Sequence, residues 1–460
     1  MSERRHLLKY AYLKIAFAYI GVIIGAGLSS GQDLLQYFLG FGKLGLIGVF
    51  LLGILNAVFG KIMVTLGSYY RAYNHEMVFS EITHPVLSKL LDVVLNIGSF
   101  CMGFVMLAGA GSNLNQQFGI APWLGALICS VLIVIVAFFD FEKITGVLGI
   151  FTPIMIVMIM LITVYSFLTG SHDMEALDAS ARTVKPVMGN VWLSVINYYA
   201  LCAMSGVSMA FILGGSLVRI DTAEKGGLIG GILIGIIIMA ASVSLFLNID
   251  YVRDSEMPML KIVSDIHPAF SLLYAVTVFA LIFNTAFSLF YSIARRFSGS
   301  STKRMRIIMI FVVLIGYAFS FGGFSQLIGI MYPVLGYMGT LLLIVLVTAW
   351  CRERRNIVFE KFSRRKMIRI LLKMLDPDRN VTRKEKEIFN NLSNVSPAET
   401  ESLKKDLHEF AVHVFESADD LKTFSKKELT VDDDKLKHQY KLILSFFHLE
   451  DTRKFQSAEQ

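Results

Sequence analysis

Lys43 to Ile54 reads KLGLIGVFLLGI, and Lys225 to Ile236 reads KGGLIGGILIGI. The shared frame is K-x-G-L-I-G-x-x-L-x-G-I. A second pair follows: Gly149 to Ile154 is GIFTPI, and Gly329 to Val334 is GIMYPV. Single apolar segments match by chance. Two pairs with one offset of about 180 residues do not arise so easily, and a fixed period is the signature of an internal repeat.

The segments between these pairs set the fold class. The chain is 460 residues long, with 55% hydrophobic and 17% charged residues, against about half and a quarter in soluble domains. The apolar excess lies in long uncharged runs, such as 131–139 and 228–247. A run of about 20 such residues crosses a bilayer as a helix. Hydropathy predicts ten spans, near 12–38, 42–66, 90–114, 122–139, 145–169, 190–218, 224–248, 267–293, 304–321 and 324–350. The fold class is therefore an all-α membrane protein. The repeat offset lays span one on span six, two on seven, and three and four on eight and nine.

Lysine and arginine set the orientation. Arg71, Lys143, Arg219, Lys225 and the cluster Arg295, Arg296, Lys303, Arg304 and Arg306 fall in alternate loops. The segment after the last span adds Arg352, Arg354, Arg355, Lys361, Arg364, Arg365 and Lys366. This asymmetry predicts that both termini are cytoplasmic. The net charge of +7 thus reflects topology, not nucleic-acid binding. Cys101, Cys129, Cys202 and Cys351 show no metal-ligand spacing. No nucleophile–base constellation or phosphate loop points to an enzyme.

Each copy of the repeat holds five spans, about 10–170 and 189–350. An odd number makes the second copy enter from the opposite side. Such a 5+5 inverted repeat is the architecture of many secondary transporters, with the site at broken helices near the midplane. Span one contains Gly21, Ile24, Gly25, Ala26, Gly27, Ser29, Ser30, Gly31 and Gln32. So many small residues disfavour a continuous helix. The expectation is a half-helix to about Ile24, an unwound stretch, and a second half-helix from about Gly31. The N–H groups of that second half would then face a carboxylate or other anion. The repeat predicts a matching break in span six at Ser205, Gly206 and Ser208. The segment from Gly25 to Gln32, with those three residues, forms the candidate substrate site. Thr285 and Ser288 lie one turn apart on span eight and, with carbonyls at Gly21 and Ile24, form a candidate sodium site. Asp33 is a candidate half-helix cap or proton-coupling group. Pro153 and Pro333 are candidate hinges that break their own helices.

Gly25 to Asp33 reads GAGLSSGQD, which resembles the GAGFASGQE signature of the YkvI-like bacterial membrane proteins. Asp33 stands where that signature has glutamate. The resemblance covers residues 1 to about 350. It implies the amino acid–polyamine–organocation superfamily, the leucine-transporter-type fold and a bacterial plasma membrane. It implies no substrate. The spacing of Gly21, Gly25 and Gly27 is also similar to the first helix of sodium-coupled amino acid symporters. In that resemblance, carbonyls near Gly21 and Ile24 and hydroxyls on span eight hold sodium. Those symporters carry adjacent hydroxyls there, whereas Thr285 and Ser288 are separated. The expected function is secondary transport of a small solute, an amino acid or related carboxylate or amine, coupled to Na+ or H+. No other cofactor is expected. The alternative is a transporter-like sensor that signals through its tail.

After Cys351 the composition turns soluble. Residues 351–375 are basic and amphipathic, as for a helix lying on the inner membrane surface. Residues 376–460 read as a helical cytoplasmic tail that could engage a protein partner. Ser396 to Glu399 has the pattern of a capping box, followed by a face of Leu403, Leu407, Phe410 and Val414. A further helix is expected near 434–448. Asp376, Asp378, Asn380 and Glu387 have calcium-loop spacing, but Val381 replaces the glycine that the turn needs. His408, Glu409 and His413 miss the zinc-protease spacing by one residue.

Overall fold

A chain in hydrocarbon must satisfy its backbone N–H and C=O groups internally, so the long apolar runs become helices. A computed structural model of the chain describes residues 11–23, 29–139, 150–170, 172–298, 301–376 and 379–417. Among them, every regular element is helical. The first half holds α1 (Ala11–Ile23), α2 (Gln32–Tyr37), α3 (Lys43–Tyr70), α4 (His75–Ile82), α5 (Pro85–Phe118), α6 (Pro122–Val136), α7 (Phe151–Thr169) and α8 (Met174–Ala181). The second holds α9 (Val191–Gly215), α10 (Ile220–Leu247), α11 (Pro258–Ile266), α12 (Pro268–Ser298), α13 (Thr302–Phe319) and α14 (Phe324–Leu375). The tail adds α15 (Arg383–Val395) and α16 (Thr400–Ser417).

Among the described residues, eight helices are long and apolar enough to cross a membrane: α3, α5, α7, α9, α10, α12, α13 and α14. Two shorter apolar helices, within α1 and at α6, join them. Large apolar side chains such as Phe50, Leu168 and Leu314 point outward, as a lipid-facing surface requires. Local signals place the helix ends. Asn190 accepts from Trp192 N at 2.8 Å to start α9, and Pro85 and Pro122 occupy the first turns of α5 and α6.

The helices sort into two groups. α1, α3, α9 and α10 pack on one another, and α5, α6, α12 and α13 form the other group. α7 contacts α10 and α12, and α14 contacts α9 and α5. Each group takes an equivalent helix pair from each copy of the repeat. α3 and α10 cross where Gly53 meets Gly235; a Cβ on Gly53 would lie 3.1 Å from the Gly235 Cα. Only small residues allow backbones to approach this closely.

The first span is interrupted at Gly31: Ser29 and Ser30 before it are helical, and α2 begins after Gly31, whose φ of 79° is left-handed and suits glycine. Residues 24–28, including Ile24, Gly25, Ala26 and Gly27, lie outside the described residues. The sixth span differs from expectation: α9 runs unbroken from Val191 to Gly215. Its small polar residues bond without interrupting the helix, for Ser205 Oγ donates to Cys202 O one turn back at 2.8 Å. Pro333 does not break α14, which continues through it. Pro153 sits in the first turn of α7, where a proline removes no helical hydrogen bond.

The tail also departs from expectation. The basic segment is not a separate helix on the lipid surface but the end of α14, a single helix of 52 residues. Lys361, Arg364 and Arg365 are buried, because acids and carbonyls of other helices meet them. Val358, Phe362, Met367, Ile368 and Leu371 form a second core with Leu403, Leu407, Ala411, Val414 and Val218. The capping box stands at Thr382 and Glu385. Ser396 instead donates to Glu360 Oε1 at 2.6 Å, and α16 starts at Thr400. Asp378 and the expected helix near 434–448 lie outside the described residues.

Candidate functional site

The interruption of the first span gathers buried polar groups from four helices. Gly31 turns the chain against Met259 and Leu245; a Cβ there would lie 2.8 Å from Met259 Cγ. Ser29, Ser30, Gln32 and Asp33 around it are all buried. Ser29 O accepts from Tyr274 of α12 at 2.7 Å. Gln32 Nε2 donates to Ser325 Oγ of α14 at 2.8 Å, and Gln36 Nε2 donates to the same oxygen at 2.7 Å. Among the described residues, the carbonyl oxygens of the Gln32 and Gln36 side chains have no hydrogen-bond partner.

Asp33 lies deeper, with 1% of its surface exposed. Its Oδ2 accepts from Tyr198 OH of α9, and its Oδ1 accepts from Leu34 N at 3.0 Å. A relay continues beside it: Tyr37 OH donates to Asn197 Oδ1 at 3.1 Å, and Asn197 Nδ2 donates to Pro333 O at 3.0 Å. The Tyr198 ring packs against Tyr37 and Phe38, with centroids 5.1 Å (Tyr37–Tyr198) and 5.5 Å (Phe38–Tyr198) apart.

The N–H groups expected to face an anion are partly engaged. Gln32 N donates to Ser30 Oγ at 3.2 Å, and Leu34 N is held by Asp33 itself. α2 is also only six residues long. The other candidates separate. Ser205 is exposed on α9, and Gly206 is buried in its packing. Ser208 Oγ lies 3.0 Å from His75 Nδ1, away from the α2 cluster. Gly21 has open space beside it. Thr285 and Ser288 are half-buried on α12. Sequence reasoning missed Tyr37, Gln36, Tyr274 and Ser325 as partners. Asn197 and Tyr198 carried the one available signal, an Asn-Tyr pair inside an apolar run.

Polar contacts also join the connections between the helices. On one side Val187 N donates to Gln36 O at 3.0 Å, and Asp178 of α8 accepts from Lys43 N at 2.6 Å and Arg182 Nε at 2.8 Å. The Lys43 N–H and the Arg182 guanidinium hold the Asp178 carboxyl below the usual carboxylate range. On the opposite side, Arg296 of α12 donates to Glu76 of α4 and Asp92 of α5, and His75 Nε2 lies 3.3 Å from Asp92 Oδ1. His75, Glu76 and Asp92 bring ligand atoms within 4.8 Å of one another. The Arg296 guanidinium already supplies positive charge there.

The two-group arrangement of an inverted repeat around an interrupted first helix defines a membrane protein of the leucine-transporter fold. The crystal structure of MhsT in complex with L-phenylalanine has this fold, with a TM-score of 0.53, 13% identity, and coverage of 88% of this chain and 98% of that one. In sequence, the chain is 24% identical over 347 residues to the uncharacterized membrane protein YkvI of Bacillus subtilis, covering 75% of this chain and 97% of the relative. It is also 24% identical over 338 residues to the uncharacterized protein YyaD of the same organism, covering 73% and 96%. The likeness to YkvI-like membrane proteins read from GAGLSSGQD thus extends over most of the chain. About a quarter of this chain has no counterpart in either relative. No family model matches the chain.

Proposed function

We propose that the chain is a secondary active transporter of a small solute, an amino acid or a related carboxylate or amine, coupled to sodium or protons. One observation carries this reading: the interrupted first span places a buried polar cluster where the two helix groups of an inverted repeat meet. Two near-equivalent halves can exchange inward- and outward-open shapes around such a point. Ser29, Ser30, Gly31 and Gln32, with residues 25–27, form the proposed substrate contact, joined by Tyr274 and Ser325. Gly21, Ile24, Thr285 and Ser288 remain the proposed sodium ligands. The fold relative MhsT holds L-phenylalanine, which supports an amino acid as the first solute to try. The lysine and arginine distribution supports a plasma-membrane topology with both termini in the cytoplasm.

Counterflow in proteoliposomes, with labelled amino acids, amines and carboxylates, tests the proposal. Exchange of at least one solute is expected. Folded protein that exchanges none, in sodium or under a proton gradient, overturns it.

A second reading has its own observation. The tail is held tightly by the transmembrane helices, since buried Arg364 donates to backbone oxygens of Ser68, Tyr69 and Val218. Such a coupling suits a sensor that passes ligand binding to a cytoplasmic partner. Removal of 376–460 separates the two: a transporter keeps its flux, and a sensor keeps ligand binding but loses its output.

A further inference from the structure

We infer that Asp33 is a proton-binding site whose occupancy is tied to the position of α2, so that the coupling ion is H+ taken up by this carboxyl. The inference rests on the transporter reading above and narrows its choice of ion.

Three observations lead to it. First, Asp33 is buried within a span, and among the described residues its partners include Tyr198 OH and Leu34 N but no cation. The Asp33 backbone N–H is a third donor, so the carboxyl is hydrogen-bonded yet has no cation to balance an anion. An unpaired charge at membrane depth is costly and marks function by default. Second, the elements packed around it offer no compensating charge. α9 presents Tyr198 and Cys202, α2 presents Tyr37, and α14 presents Tyr332, all neutral at ordinary pH. α10 and the start of α11 present Leu245 and Met259 beside Gly31. Third, Asp33 lies two residues past the left-handed turn at Gly31, on the short helix that bonds to Tyr198 of α9 and Ser325 of α14.

The linkage follows. With α2 closed on α9, the carboxyl is shut away from water and the neutral acid is favoured. When α2 leaves α9, Asp33 loses Tyr198, gains water and releases its proton. Proton binding and closure therefore favour each other by the same factor. The proton enters from water on one side and leaves to water on the other, and no bond of the solute changes.

Infrared difference spectra of the full-length protein in potassium-loaded, sodium-free proteoliposomes test the site directly. On acidification, the wild type should gain the carbonyl band of a protonated carboxylic acid. Asp33→Asn should lack that band, and Tyr198→Phe should shift it because one hydrogen bond is lost. The same band in wild type and Asp33→Asn overturns the proposal. A second measurement uses a mixture of the proteinogenic amino acids and a pH dye inside the vesicles. Inward acidification that accompanies uptake of the mixture in the wild type, and that Asp33→Asn lacks, supports coupling. Flux in wild type without proton movement overturns coupling. Absence of all flux counts against the transporter reading, and the infrared band still decides whether Asp33 binds the proton.

Discussion

Gly53 and Gly235 hold the same position in the two copies of the repeat, and they face each other where α3 crosses α10. A Cβ on Gly235 would lie 2.7 Å from the Gly53 Cα, and one on Gly53 would lie 3.1 Å from the Gly235 Cα. A residue that touches its own repeat mate sits on the axis relating the copies. The crossing therefore marks the pseudo-two-fold of the fold in backbone contact. The obstacle is backbone rather than a flexible side chain, so neither helix can yield locally. Gly235→Val should destabilise the membrane domain by about 1–3 kcal/mol or more, the range for overpacking. Thermal unfolding of the purified protein checks this. Gly189→Ala, where a Cβ would meet nothing within 4 Å, should leave the midpoint unchanged.

A second expectation concerns the tail. Arg364 is 1% exposed. Its guanidinium donates to Ser68 O at 2.8 Å, Tyr69 O at 2.8 Å, Val218 O at 3.2 Å and Glu360 at 2.8 Å. It thereby caps the carbonyl end of α3 and joins it to the α9–α10 connection. Arg364→Ala strands those oxygens and leaves Glu360 buried without its ion-pair partner. Breaking a buried pair from one side costs about 3–5 kcal/mol. Limited proteolysis should show faster cleavage between α14 and α15, and Arg364→Lys should restore little because an ammonium cannot fork to several carbonyls.

These two places show what the sequence could and could not reveal. The Lys43 and Lys225 segments displayed the repeat because equivalent helices must pack alike at the shared axis, which leaves glycines at matching positions. The interruption of span one was legible for a similar local reason: Gly31 needs a left-handed turn. The proposed break at Ser205–Ser208 looked the same in composition, but Ser205 bonds its own helix and α9 has no residue in a left-handed conformation. Span pairs far apart in sequence stayed hidden. Tyr198 finds Asp33 across 165 positions, and Lys361 finds Glu224 across 137. The basic tail segment was therefore read as facing lipid, when acids and carbonyls of the transmembrane helices draw it inside.

The pH behaviour of the connection between α7 and α9 follows from Asp178. Its folded-state carboxyl is lowered by the Lys43 N–H and the Arg182 guanidinium. A depressed acid contributes stability above its unfolded value, about pH 4, and loses it as pH falls through the folded value. The start of α3 should therefore hold at neutral pH and loosen only in acid. Hydrogen exchange at the Lys43 amide should accelerate on acidification beyond its intrinsic trend. Asp178→Asn should exchange faster at neutral pH and show a flatter acid response.

Asn197 carries the last expectation. It accepts from Tyr37 OH and donates to Pro333 O, so it ties α2, α9 and α14 at one buried point. Gly336 of α14 packs directly against it, and a Cβ there would collide with Asn197 Oδ1. Asn197→Leu removes both bonds at once and leaves the Tyr37 hydroxyl buried without an acceptor. An unsatisfied buried group costs about 1–3 kcal/mol, which should appear as a lower unfolding midpoint. The double variant Tyr37→Phe with Asn197→Leu removes the stranded hydroxyl as well. It should recover part of that loss, because matched apolar replacement of both partners is nearly neutral. A double-mutant cycle with no recovery would show that Asn197 acts through its packing against Gly336 rather than through its bond to Tyr37.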